Sequence, residues 1–369
     1  MLNTLTVADA MAGRFLDAAT AARGALDTID DWRDLVPVIV VSLNMNLFRA
    51  AMLAGDLDGA EDALDRLAAE TVGRSEWEFA DAMLLWERGM LLRVRGRLVD
   101  AATALDSVAP AAMGLGAGIQ AERAIVLAMA GDRLGAERVL DLARQIGRAS
   151  PPTPLARFSL KLAEVRFVAA TGGLDEAVSL AVACAHEARA AGATAVAFGA
   201  LHVAVGLGAA HLVRDELMEL ADGMQGALVA ACVAHARAAA DRDAPALMAA
   251  AERFAELGYL VDAAETAAQA ALAATTTGGP TGPWARRAAA RAAALIESCQ
   301  DLHTPAVLAL TTDRLSARER QIATLAADGR SSQQIAEQLV LSVRTVDNHL
   351  QHVYAKLGVS SRQDLAGLL

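Results

Sequence analysis

Apolar side chains recur at steps of three and four along most of the chain, in stretches such as EDALDRLAAE, AATALDSVAP and AERVLDLARQI, and this spacing predicts amphipathic helices. A repeated step punctuates them. Gly55 to Ala60 (GDLDGA), Gly96 to Ala101 (GRLVDA), Gly131 to Ala136 (GDRLGA) and Gly172 to Ala177 (GGLDEA) follow one another at 41, 35 and 41 residues, and Gly258 to Ala263 (GYLVDA) repeats the pattern later. Glycine suits the left-handed residue that ends one helix, and alanine lets the next helix cross close behind it. Each step therefore predicts a helix hairpin. Hairpins at this period cannot bury their apolar faces alone, which predicts a stacked solenoid; an alanine-rich bundle whose glycines merely end helices is the competing architecture.

Several segments interrupt the pattern. After Ala274 the stretch TTTGGPTGP predicts the end of a helix, and WARRAAARAAALIESCQ resumes one. The run GLGAG, Gly114 to Gly118, reads as a loop between repeats. Residues 301–313 read as a linker, giving a helical repeat domain over 1–300 and a separate domain over 314–369. The Gly-x-x-x-x-Ala step resembles the turn inside tetratricopeptide repeats, although the Trp, Tyr and Pro positions of that consensus are mostly missing.

The last segment has a different rhythm. Ser316 with Glu319, Ser331 with Gln334 and Ser360 with Gln363 form capping boxes, Ser342 opens another helix without such a partner, and Gly329 and Gly358 sit where helices should stop. Four helices are predicted, at about 317–327, 332–339, 343–357 and 361–368. Only Val340 and Leu341 separate the second from the third, a turn short enough for a helix-turn-helix. In the third, Val346, Leu350, Val353 and Leu357 form one buried stripe. Arg344, Asp347, Asn348 and Gln351 then lie on the opposite face, positioned to read base edges in a major groove. Thr345, His349, His352 and Lys356 fall on a flank where a phosphate strand would pass, and Ser331 and Ser332 open the second helix towards the same strand.

These elements, LSARERQ, GRSSQQIAEQL and LSVRTVDNHLQHVYAKLGVSSR, resemble the DNA-binding domain of the LuxR family, also found in NarL-type and FixJ-type regulators. The resemblance covers about 55 of 369 residues. It implies double-stranded DNA as partner, a third helix that reads the groove, and a fourth that pairs two domains on two half-sites, with Leu365, Leu368 and Leu369 as the pairing face of a homodimer. Asp347 departs from the pattern, since many members carry Lys or Arg there. An acid can accept from cytosine N4 or orient Arg344, but cannot bond a phosphate.

Charge sharpens the division. The chain carries a formal −11, yet Asp313–Leu369 holds seven Arg and Lys against six Asp and Glu, a net of +1, which leaves −12 for residues 1–312. An acidic repeat domain repels phosphates and leaves DNA contact to the small module. With so little charge on one module, useful affinity is expected to require two.

Aromatics are only 4% of an Ala- and Leu-rich chain, which makes an all-α fold the expectation. Cys184, Cys232 and Cys299 are too dispersed for a disulfide framework or a metal pair and read as reduced, buried thiols. No charged residue lies between Arg189 and Arg214, but abundant Gly and Ala, with His202 and His211, favour a buried soluble helix pair over a membrane span. The N-terminus lacks the pattern of a signal peptide, and a cytoplasmic, nucleoid-associated protein is expected. Cys184 and His186 are close in sequence but lack a third group, so no enzyme, metal or cofactor is expected.

Repeats followed by this module resemble the C-terminal half of large ATP-binding LuxR regulators. The two lysines, Lys161 and Lys356, follow no glycine and no GxxxxGK[ST] exists, so the NTPase module of that group is missing from this sequence. The expectation is a bacterial transcription regulator whose repeats sense a small molecule or protein and control dimerisation, with RNA polymerase a further partner open to it. The alternatives are a repeat scaffold with a vestigial DNA-binding appendage, or the C-terminal part of a larger ATP-binding regulator.

Overall fold

The computed structural model describes residues 2–28, 37–71, 78–108, 115–149, 152–278, 282–313, 315–357 and 361–365, and among them every regular element is a helix. The chain forms two compact units, Met1–Thr304 and Pro305–Leu369. In the first, the helices run α1 (Leu2–Met11), α2 (Phe15–Asp27), α3 (Pro37–Ala54), α4 (Leu57–Thr71), α5 (Glu78–Val94), α6 (Leu98–Asp106), α7 (Gly116–Met129) and α8 (Arg133–Ala149). They continue as α9 (Pro154–Ala170), α10 (Leu174–Ala190), α11 (Thr194–Ala204), a π-helical turn (Val205–Ala209), α12 (Ala210–Ala221), α13 (Ala227–Asp241), α14 (Ala244–Glu256), α15 (Leu260–Gly278) and α16 (Pro283–Glu297).

The glycine-to-alanine step governs this unit as expected. Gly55, Gly96, Gly131, Gly172 and Gly258 all have positive φ, and the alanines five residues on, Ala60, Ala101, Ala136, Ala177 and Ala263, are fully buried. The same step occurs at Gly13 with Ala18, between α1 and α2, and at Gly192 with Ala197, between α10 and α11. At each site the glycine reverses the chain and the missing side-chain volume of alanine sets how close the two helices lie. Ala136 packs against Ala128 and Ala170, with Leu127 and Phe167 beside them. Ala136→Val is therefore expected to force the α7–α8 pair apart and lower stability by about 1 kcal/mol or more in chemical denaturation; an unchanged midpoint would show the contact to be slack.

The unit is not an open solenoid. Loops from its C-terminal half dock on the hairpin turns of its N-terminal half. The Gln225 backbone N–H donates to the Gly13 carbonyl at 2.9 Å, its side-chain Oε1 accepts from the backbone N–H groups of Leu16 and Asp17, and its Nε2 donates to Asp17 Oδ2. Gln300 repeats the arrangement one double hairpin later. Its N–H donates to the Gly96 carbonyl, its Oε1 accepts from Val99 and Asp100 N–H, and its Nε2 donates to Asp100 Oδ2. Each glutamine thus satisfies the orphan donors at the start of α2 or α6 that no local side chain caps. Between these clamps, the Tyr259 hydroxyl donates to the Met52 carbonyl, and Gly226 lies so close to Ala54 that a Cβ there would stand 2.5 Å from its carbonyl oxygen. The His303 N–H closes the series on the Met129 carbonyl at 2.8 Å.

Three expectations about elements change. Gly116 and Gly118 do not form a loop but open α7, where a Cβ on Gly118 would meet the Trp86 ring at 2.6 Å, so glycine here serves helix packing. Helix α15 runs through Thr275–Thr277 because the hydroxyls of Thr275 and Thr276 bond carbonyls of the preceding turn rather than competing with the helix. The linker expected at 301–313 contains instead α17 (Pro305–Asp313), started by a proline in the first turn, with Val307 and Leu310 buried. Thr194–Ala221 is long and apolar enough to cross a membrane, yet it breaks at Gly208 (φ 93°) and half of its apolar window is buried in the fold.

Candidate nucleic-acid interface

The C-terminal unit continues from α17 with α18 (Ala317–Ala327), α19 (Ser332–Leu339), α20 (Val343–Leu357) and α21 (Arg362–Leu365). Its local chemistry follows the sequence closely. Ser316 with Glu319 and Ser331 with Gln334 form complete capping boxes, and Ser342 Oγ accepts from Thr345 N–H at 3.0 Å to start α20. Ser360, Gln363 and Gly358 lie outside what is described of backbone or side chain. Leu315, Ile322, Ala326, Ile335, Ala336, Val346, Leu350 and Val353 make one core. Arg318 Nη2 donates to the Leu339 carbonyl at 2.8 Å, tying α18 to the end of α19.

The turn between α19 and α20 carries strain. Val340 adopts the left-handed region (φ 55°, ψ 51°) with its side chain 91% exposed, an arrangement that suits Asn or Gly and disfavours a β-branched residue. Val340→Asn is expected to stabilise this unit by about 1 kcal/mol, visible as a higher Tm; a lower Tm would mean that the valine makes compensating contacts.

With Val346, Leu350 and Val353 anchored, α20 presents a continuous outer face. Arg344, Asp347, Asn348 and Gln351 are all exposed on it. Thr345 and His349 are half-buried along one flank, and His352 is exposed. Lys356 lies in α20, but its side chain is outside the described residues. Asp347 forms no ion pair with Arg344, so the acid does not hold the arginine in place in the free chain. Ser331 Oγ and backbone N–H are both engaged in the capping box with Gln334, and Ser332 Oγ accepts from Arg362 Nη2 at 3.0 Å, which leaves the two hydroxyl hydrogens and the Ser332 backbone N–H for any further contact.

Two outcomes were not legible beforehand. Arg330, immediately before the N-terminus of α19, is exposed and forms no ion pair among the described residues; its only sequence signal is a cation beside a helix start, where anions bind readily. Leu365, expected on a pairing face, is fully buried in the domain's own core and is not available to a second copy as it stands. Leu368 and Leu369 lie outside the described residues.

The Cys184 thiol is buried and pushed up to about 11 by desolvation, while His186 faces Glu216 at 3.3 Å on the surface. All three cysteines are free and buried. Among the described residues, no three His, Cys, Asp or Glu side chains are grouped to hold a metal.

Residues 313–369 match the family described as bacterial regulatory proteins, luxR family. Over 51 residues the chain is 49% identical to a protein of Mycobacterium bovis described as an HTH-type transcriptional regulator, a match covering 14% of this chain and 6% of that one. It is 45% identical over 51 residues to the oxygen regulatory protein NreC of Staphylococcus aureus, covering 14% of this chain and 24% of NreC. Among solved structures, the chain is similar to a Rap protein complexed with competence and sporulation factor, with a TM-score of 0.45 and 12% identity over 97% of this chain and 98% of that one. The C-terminal unit is a LuxR-family helix-turn-helix domain.

Proposed function

We propose that the chain is a sequence-specific transcription regulator that lays α20 in the major groove of double-stranded DNA. Arg344, Asp347, Asn348 and Gln351 face the base edges, and Ser331, Ser332, Thr345, His349, His352 and Lys356, joined by Arg330, position the flanking phosphates. The observation that carries this reading is the shared exposed face of those four side chains on a helix whose opposite face is locked in the core. The module's net charge of +1 gives weak non-specific attraction, so binding is by a pair of chains on two half-sites, with the acidic repeat domain taking an effector and controlling the pairing. Selection of duplexes from a random pool by the full chain tests it. A two-fold symmetric motif is the expected outcome, and equal retention of all sequences would overturn the proposal.

A further inference from the structure

Helix α16 carries Arg286, Arg287 and Arg291 with no acid before Glu297, a local excess of positive charge on a domain whose net charge is −12. One face of this helix is also open. Trp284, Arg287, Ala288 and Arg291 follow one another at helical spacing and so share that face, and together with Met248 of α14 they line a groove of about 290 Å³. The two apolar walls are held from behind. Trp284 packs on the cluster of Ala244, Ala274 and Ala285, and Met248 packs on Ala238, Leu247 and Ala270, while each keeps part of its surface in solvent. Ala288, buried at the floor, leaves the space that a longer side chain would fill.

The two arginines of the groove are not equivalent. Arg291 donates from Nε and Nη2 to the two carboxylate oxygens of Glu252 at 2.7 and 2.6 Å, a bidentate pair that fixes its guanidinium and neutralises its charge. Arg287, one turn earlier, is exposed and forms no ion pair among the described residues. Two guanidiniums against one carboxylate leave the groove with a single positive charge, centred on Arg287, and Glu252 repels an anion from the other end. The groove therefore offers apolar surface and one unneutralised fork of N–H donors side by side.

We propose that this groove binds a small aromatic carboxylate, with the ring against Trp284 and Met248 and the carboxylate on the Arg287 guanidinium. Each part of the ligand has a matching group. The planar fork of arginine pairs with a carboxylate through two parallel hydrogen bonds, the indole offers a face for stacking, and the methionine sulfur is a favourable neighbour for a ring edge. The volume stands at the lower end of small-molecule sites, about 300–1,000 Å³, which suits one ring system with a short acid arm. This deepens the reading of the repeat domain as the effector-bearing part and rests on it.

Calorimetric titration of the full chain with phenylacetate, phenylacetamide and acetate at neutral pH tests the site. Phenylacetate is expected to bind at least about ten-fold more tightly than either of the others, because the amide keeps the ring without the charge and acetate keeps the charge without the ring. Arg287→Gln changes an exposed side chain, so the variant should keep the parent's Tm while its affinity for phenylacetate falls to that for the amide. Trp284→Leu should weaken phenylacetate and phenylacetamide alike. Equal affinity for phenylacetate and acetate, absence of binding by all three, or phenylacetate binding unchanged in R287Q would each overturn the proposal. Sequence-selective DNA binding, measured on the same preparation, separates the two readings: retained selectivity without phenylacetate binding removes this site alone.

Discussion

Glu87→Gln is expected to stabilise the repeat domain at neutral pH, by on the order of 3 kcal/mol relative to its effect in acid. Glu87 is fully buried, neither carboxylate oxygen is hydrogen-bonded, and Arg49, though 3.3 Å away across the Trp86 face, leaves Nε and Nη2 equally unpaired. Desolvation outweighs that attraction and pushes the Glu87 pKa up to about 8. A folded pKa above the unfolded one means that stability is fully present below the unfolded value and is lost as pH rises towards about 8. Glutamine mimics the protonated acid, so the difference between variant and parent should widen across that interval and level off above it. His202 and His235 act in the opposite sense, since rings held neutral by burial cost stability as pH falls from 6.5 towards about 4. Urea denaturation of both proteins over the pH range checks this, and a difference that does not change with pH would mean that Glu87 stays ionised in the fold.

The second large effect concerns DNA. Asn348→Ala removes from the exposed face of α20 the side chain best suited to bond an adenine edge, and should weaken binding to the selected operator by about 1–3 kcal/mol, roughly five- to 150-fold. Binding to unrelated duplexes should be nearly unchanged, because the variant keeps every positive charge. Fluorescence anisotropy with the operator and a scrambled duplex measures both. A parallel loss on the two would assign Asn348 to phosphate positioning instead.

What could be read beforehand was whatever is decided within one or two helical turns. Capping boxes, the Val346–Leu350–Val353 stripe and the glycine-to-alanine steps depend on neighbours in sequence, and the helices fell where those signals put them. Pro305 carried an equally local signal for α17, within a segment whose sequence reads as a linker. The docking of Gln225 on Gly13 and of Gln300 on Gly96 joins positions some two hundred residues apart, and nothing in the local pattern of a loop glutamine announces such a partner. A cluster of polar side chains inside the repeat domain was hidden for a related reason. Asp262, Glu265, Thr266 and Gln269 form a polar stripe on α15 that reads as a solvated helix face, and only closure of the domain brings Arg93, Arg166 and the two histidines against it.

The glutamine clamps also bear on how the repeat domain melts. In an open array each hairpin touches only its neighbours, so end repeats fray independently and a terminal hairpin can be deleted at the loss of one increment of stability. Here the segment from Cys299 to His303 is fastened to the turns at Gly96 and Gly131, deep in the first half of the chain. Trimming the domain from its C-terminal end would strip the caps from α6 and expose turns in mid-sequence, so shortened versions should fail together rather than shrink gradually.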